Sequence, residues 1–213
     1  MSDYEVTPSA VVNTAEQLKD QGVRIADLGH KAFDLITNLG TERHWGGKQY
    51  NLVIEKLNTF NDEMNQLFRT VFLIPQNLGQ AANTYATANN DTVRSVITET
   101  PQLLETIVPP ATVSADTIIY HQDQVESAIN QFTATVQQLQ TAIQEYQNIY
   151  TSLVEGNWVG EAMIGWTNTL NNFSTTASEL SGTMNNTIST QASEASSALA
   201  AAEKTNVSNV SMN

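Results

Sequence analysis

Trp45-Gly46-Gly47 and Trp158-Val159-Gly160 write one short turn twice, 113 residues apart. The apolar positions after the two turns match at the same offset. Tyr50, Val53, Leu57, Phe60, Met64, Leu67 and Val71 correspond to Met163, Trp166, Leu170, Phe173, Ala177, Leu180 and Met184. Leu57-Asn58-Thr59-Phe60 reads almost as Leu170-Asn171-Asn172-Phe173. A chain that repeats itself over this length is built from two copies of one supersecondary unit, and the architecture follows from that repeat.

Upstream of the first turn, Thr7-Pro8 reads as a helix start, with Thr as N-cap and Pro at the first helical position. Val11, Ala15, Leu18, Gly22, Ile25, Gly29, Ala32, Ile36 and Leu39 then alternate by four and three, a heptad seam. Glycine inside a helix costs about 1 kcal/mol relative to Ala. Gly22 and Gly29 on the seam therefore imply close approach of a neighbouring helix. Gly40 is the expected C′ residue.

Downstream, the seam Tyr50, Val53, Leu57, Phe60, Met64, Leu67, Val71, Ile74, Leu78, Ala81, Tyr85 and Ala88 holds its phase across Pro75. The expectation there is a kink at about residues 71–75 and no new element. Pro101 and Pro109-Pro110 mark a linker, with Ser114 expected to cap a third helix. Its seam is Ile118, Gln122, Val125, Ile129, Phe132, Val136, Leu139, Ile143, Tyr146, Tyr150 and Leu153. The fourth seam runs on from Met184 to Ile188, Ala192, Ala195 and Leu199, where side chains thin out and a frayed end is expected. Residues 1–6 read as a disordered lead and 205–213 as a disordered tail.

The expected organisation is a first hairpin at 7–98, a linker at 99–113 and a second hairpin at 114–204. The expected fold is all-α: two fused helix–turn–helix hairpins, each with an apolar stripe that two helices cannot hide alone.

Composition narrows the function. The chain has no cysteine, so it uses neither disulfides nor thiolate metal sites. Its net charge of −13 repels nucleic acid and anionic lipid. No apolar run approaches the ~20 residues of a membrane-spanning helix. The first 25 residues hold no signal-peptide core, which predicts a protein that stays in the cytoplasm or leaves by a route independent of such a signal. Eight of the nine basic residues precede position 100. That asymmetry reads as a solvated polar surface, or as a basic half that meets an acidic partner.

No constellation for catalysis or cofactor binding stands out. His30, His44 and His121 lack metal-ligand spacing along the chain and read as exposed or packing residues. There is no cysteine nucleophile, phosphate-binding glycine loop or Gly-x-Ser-x-Gly elbow. Asp62-Glu63 and the scattered Asp116, Asp123 and Glu126 read as solvated faces. Trp166, Phe60, Phe68, Phe72, Phe132 and Phe173 read as core. The expectation is no catalytic residue, no metal and no cofactor.

In a Trp-x-Gly turn between long helices, Gly permits the reversal and Trp plates the open end of the hairpin. A doubled Trp-x-Gly between heptad-patterned helices resembles the WXG family, the Esx-type proteins of type VII secretion. The resemblance spans roughly 8–98 and 114–200 as two fused copies. It implies helical hairpins that pair, leave a bacterium folded without a conventional signal peptide, and act by protein–protein contact. The implied partners are the secretion machinery with its motor ATPase, another WXG-type protein, or a larger effector. The family's export signal is Tyr, three residues, then Asp or Glu. Here it falls on Tyr85 and, in place of the acid, Asn89. The second copy has Ala198 and Ala202 at those positions. Periodicity alone puts Tyr85 on the seam and reads it as a packing residue.

Family dimers set their Trp turns at opposite ends. A 40-residue helix is ~60 Å long, and some 25 linker residues can span up to ~80 Å. The linker thus allows an elongated antiparallel four-helix bundle, a monomeric pseudo-dimer in one chain. Exchange of hairpins between two chains is a further arrangement. Three functional readings follow: an exported interaction protein, an intracellular carrier for a larger effector, or a helical scaffold unrelated to secretion.

Overall fold

The computed structural model describes residues 5–96, 99–110, 117–156 and 158–211. They form an all-α chain: β1 (Glu5–Val6), α1 (Pro8–Thr41), β2 (Trp45–Gly46), α2 (Lys48–Asn58), α3 (Asn61–Ala88), β3 (Ile119–Tyr120), α4 (Gln122–Gly156), β4 (Trp158–Val159) and α5 (Glu161–Ser211). The strands are two residues each and pair as β1 with β4 and β2 with β3, both antiparallel. Among the described residues no helix is long and apolar enough to cross a membrane.

The chain divides into two compact units, and neither coincides with a repeat. The first takes Met1–Gly29, Asp62–Leu104 and Gln138–Ser181; the second takes His30–Asn61, Glu105–Gln137 and Gly182–Asn213. Each unit therefore draws on helices from both halves of the sequence.

The first unit packs Leu18 and Ile25 of α1, Met64, Phe68 and Val71 of α3, Ile143, Tyr146 and Tyr150 of α4, and Leu170 of α5, all buried. Gly22 and Gly29 explain the fit of α1. A Cβ at Gly22 would lie 2.9 Å from the Val71 carbonyl oxygen, and one at Gly29 2.5 Å from the Phe68 ring. Tyr146 hydroxyl donates to the Val71 carbonyl at 3.1 Å. Gln21 Nε2 donates to the Ala142 carbonyl at 3.0 Å and to Glu145 at 2.8 Å, and Arg24 pairs with Glu145.

The second unit packs Phe33 and Ile36 of α1, Trp45, Tyr50 and Leu57 around the first turn, Phe132 and Val136 of α4, and Met184, Ile188, Ala192 and Ala195 of α5. Ala192 and Ala195 are buried, so the thinning seam still packs that far, whereas beyond it Leu199 is half-buried and residues 200–208 are exposed.

Local chemistry sets the element ends. Ala10 and Val11 amides donate to the Thr7 carbonyl, as the Thr-Pro start predicts. α1 passes Gly40 and closes at Arg43, whose φ is 58°. His44 N–H bonds the Leu39 carbonyl and Arg43 N–H the Gly40 carbonyl, a Schellman closure. The expected C′ glycine thus serves another purpose: a Cβ at Gly40 would lie 2.4 Å from the Tyr50 hydroxyl.

Pro75 sits inside α3, and no new element begins there. The interruption falls at Thr59–Phe60, where the amides of Thr59 and Phe60 bond carbonyls three residues back, at 3.2 and 3.0 Å. Beside it, Asn58 exchanges two hydrogen bonds with the Ile107 backbone, at 2.8 and 2.9 Å, and Asn61 donates to the Glu105 carbonyl at 3.1 Å. Asn65 likewise exchanges two with Leu104, at 3.0 and 2.7 Å. Asn58 at the end of α2 and Asn61 and Asn65 of α3 thus fasten the linker backbone at Leu104, Glu105 and Ile107.

Four other expectations need correction. Glu5–Val6, expected in a disordered lead, is a strand. The third helix begins at Gln122, because residues 119–121 spend their backbone groups on the first turn. Ile118 is consequently 71% exposed and off the seam, while Ser114 lies outside the described residues. The last turns of α3 bury Ala82 and Ala86 in place of Ala81, Tyr85 and Ala88. A straight helix drifts about 20° per heptad against a strict seven-residue repeat, enough to move the seam by one residue. α5 continues through 205–211, where a disordered tail was expected, since that stretch has neither Gly nor Pro and follows an Ala-rich run.

The glycine contacts predict opposite effects at two sites. Gly29→Ala should lower stability in urea by about 1–2 kcal/mol, because overpacking against Phe68 outweighs the gain in helix propensity. Gly165→Ala should raise it by about 0.5–1 kcal/mol, since a Cβ there meets nothing within 4 Å. Equal signs would contradict the packing.

Candidate functional site at the tryptophan turns

Each tryptophan turn is closed by the strand that leads into the first helix of the other repeat. In the second unit, Trp45 pairs with Tyr120 and Gly46 with Ile119. Trp45 is fully buried. Tyr120 meets its indole edge-on, with centroids 6.2 Å apart, and Tyr50 lies tilted against it at 5.8 Å. Tyr120 is held in turn by a hydroxyl contact with Ser196. Gly47 has φ 96°, and a Cβ there would stand 2.6 Å from the Thr117 carbonyl oxygen. This position needs glycine for both conformation and space. Among the described residues Trp45 Nε1 has no hydrogen-bond partner, and the indole's contacts are with the Tyr50 and Tyr120 rings.

In the first unit, Val6 pairs with Trp158 and Glu5 with Val159. Trp158 is 1% exposed and Gly160 adopts φ 140°. Val159 is half-exposed. Tyr85 packs edge-on against Trp158, with centroids 6.4 Å apart and planes at 80°. The expected seam role of Tyr85 is therefore corrected. It is half-buried and plates the turn of the other repeat, since the drift of the seam rotates it off the core face.

Tyr85 and Asn89 line a cleft of about 330 Å³ together with Glu5, Val6, Pro8 and Ala88. α3 ends just beyond, with Asn90 at φ 55° and the Asp91 amide on the Ala86 carbonyl. Asn is the residue that best tolerates that left-handed closure after Gly. The two residues singled out from sequence, Tyr85 and Asn89, thus join Trp158 in one surface. At the other turn the covering residue differs: Ala198, the counterpart of Tyr85, is exposed, and Trp45 is plated by Tyr120.

Sequence reasoning missed Tyr120 as the plate over Trp45, and missed the meeting of His44 with His121. Two-residue strands carry no periodicity that could have revealed either. Trp166 and Phe173, expected in the core, are half-exposed, whereas Phe60, Phe68, Phe72 and Phe132 are buried as expected. Ile164 is 57% exposed and Gly165 borders open space, so the first turns of α5 are only partly covered.

Burial pushes the Tyr50 hydroxyl up to about 12, against a Gly40 backbone hydrogen bond that lowers it. It likewise pushes Tyr150 up to about 12, opposed by a Thr167 hydrogen bond, and raises Tyr146 well above the usual phenol value. No family model, curated protein or solved structure matches the chain.

These hydroxyls predict the alkaline limit of the fold. The native state holds protons that the unfolded chain releases near pH 10, so stability is intact below pH 10 and falls as pH rises through about 12. Tyrosinate difference absorbance should show Tyr50 and Tyr150 ionising near pH 12 and Tyr146 later. All six tyrosines titrating together near pH 10 would contradict the burial.

Proposed function

We propose that the chain is a non-enzymatic, tandem WXG-type protein of a type VII secretion pathway, exported by that machinery and acting through protein–protein contacts. In this reading its two hairpins form an antiparallel four-helix pseudo-dimer, with the motor ATPase as the first partner. The observation that carries the reading is the placement of Tyr85 against Trp158. The half-buried Tyr of one repeat covers the buried Trp of the other, beside a cleft open to a partner's side chain. A lone tripeptide turn would be weak support. Its recurrence, each time closed by a strand of the other repeat, makes the turn a designed element of the fold.

Asn89 favours a second reading. The residue at the acidic position of the export signal is neutral here and faces the cleft. An intracellular carrier that relies on a larger effector for recognition needs no complete signal of its own.

One experiment separates these from a plain scaffold. Export is measured in the native host with and without the motor ATPase, for the natural chain, Tyr85→Ala and Trp158→Phe, each checked for helical content. The proposed function predicts loss of the protein from the medium without the motor, and at least tenfold lower export for Tyr85→Ala. Motor-independent appearance, or full activity of every variant, would contradict it. Retention inside the cell in complex with an effector would favour the carrier reading.

A further inference from the structure

His44 and His121 are 77 residues apart in sequence and adjacent in space. His44 immediately precedes β2 and His121 immediately follows β3. The register Trp45↔Tyr120 and Gly46↔Ile119 makes them the next opposed pair on the ladder, and the His121 amide bonds the His44 carbonyl at 2.8 Å. Side chains alternate along a strand. Trp45 points into the core, so His44 and His121 share the outward face. His44 is 29% exposed and His121 is exposed. Their Nδ1 atoms are 3.3 Å apart.

That separation is the edge of a tetrahedron around an ion with metal–nitrogen bonds of ~2.0–2.1 Å, which is about 3.3 Å. The opposite nitrogen of His44, Nε2, lies 3.3 Å from Glu42 Oε2. A carboxylate there fixes the proton on Nε2 and leaves the Nδ1 lone pair for an ion, the usual outer-shell support of a metal-binding histidine. We propose that His44 and His121 bind a divalent transition-metal ion of the zinc class, which clips the first tryptophan turn to the strand opening the second repeat. Among the described residues no group of three His, Cys, Asp or Glu side chains could complete a metal site, so water fills the remaining positions. The bound ion is exchangeable and open to a further ligand from outside. Imidazole selects zinc, nickel or copper over magnesium and calcium, which prefer oxygen.

The net charge of −13 will also draw cations to scattered carboxylates, and the test must separate that background. Zinc is titrated calorimetrically into the full chain, His44→Gln and His121→Gln, with magnesium as the hard-ion control. Circular dichroism checks that each variant keeps its helices. Histidine ring resonances of the natural chain are followed in parallel, with His30 as the internal reference. The expected result is one zinc ion per chain, binding weakened tenfold or more in each variant, and zinc-dependent shifts confined to His44 and His121. Weakening below tenfold in either variant, unmoved His44 and His121 resonances, or equal binding of magnesium would overturn the site.

Discussion

Each tryptophan turn in this chain is completed by a two-residue strand from the other half of the sequence. Two-residue ladders do not persist alone in water. They hold here because each closes over a tryptophan that is at most 1% exposed. Burial of such a side chain removes some 150–250 Å² from water, about 4–6 kcal/mol at most for each turn. The same exchange explains why the compact units cut across the repeats.

Most of the helical framework was legible in the residue pattern. The seams on α1, α2 and α4 point inward almost throughout, and the seam glycines Gly22 and Gly29 meet α3 closely, as their cost in a helix requires. The pattern failed where its physical basis failed. A seven-residue template drifts against a 3.6-residue helix, so Tyr85 was placed in the core when it lies against Trp158. Two-residue strands have too few positions to show alternation, so Glu5–Val6 read as disorder and the start of α4 was set too early. Side chains that fasten backbone, such as Asn58, Asn61 and Asn65, are invisible to a search for apolar periodicity.

The two repeats have diverged in what they display. At the first turn, Tyr120 and Tyr50 plate Trp45, and a histidine pair stands on the outer face. At the second, Tyr85 plates Trp158 beside an open cleft that carries Asn89. The two turns share one backbone pairing and differ in the side chains that cover it.

The exchange of strands can be tested in one step, because the chain contains no cysteine. Glu5 and Val159 are opposed on the ladder between β1 and β4. Cysteines placed at both positions should oxidise rapidly to a disulfide within one chain, seen as a change in electrophoretic mobility at a mass near 23.3 kDa. Failure to cross-link, or a cross-link found only as a covalent dimer, would contradict the closure of each turn by the other repeat of the same chain.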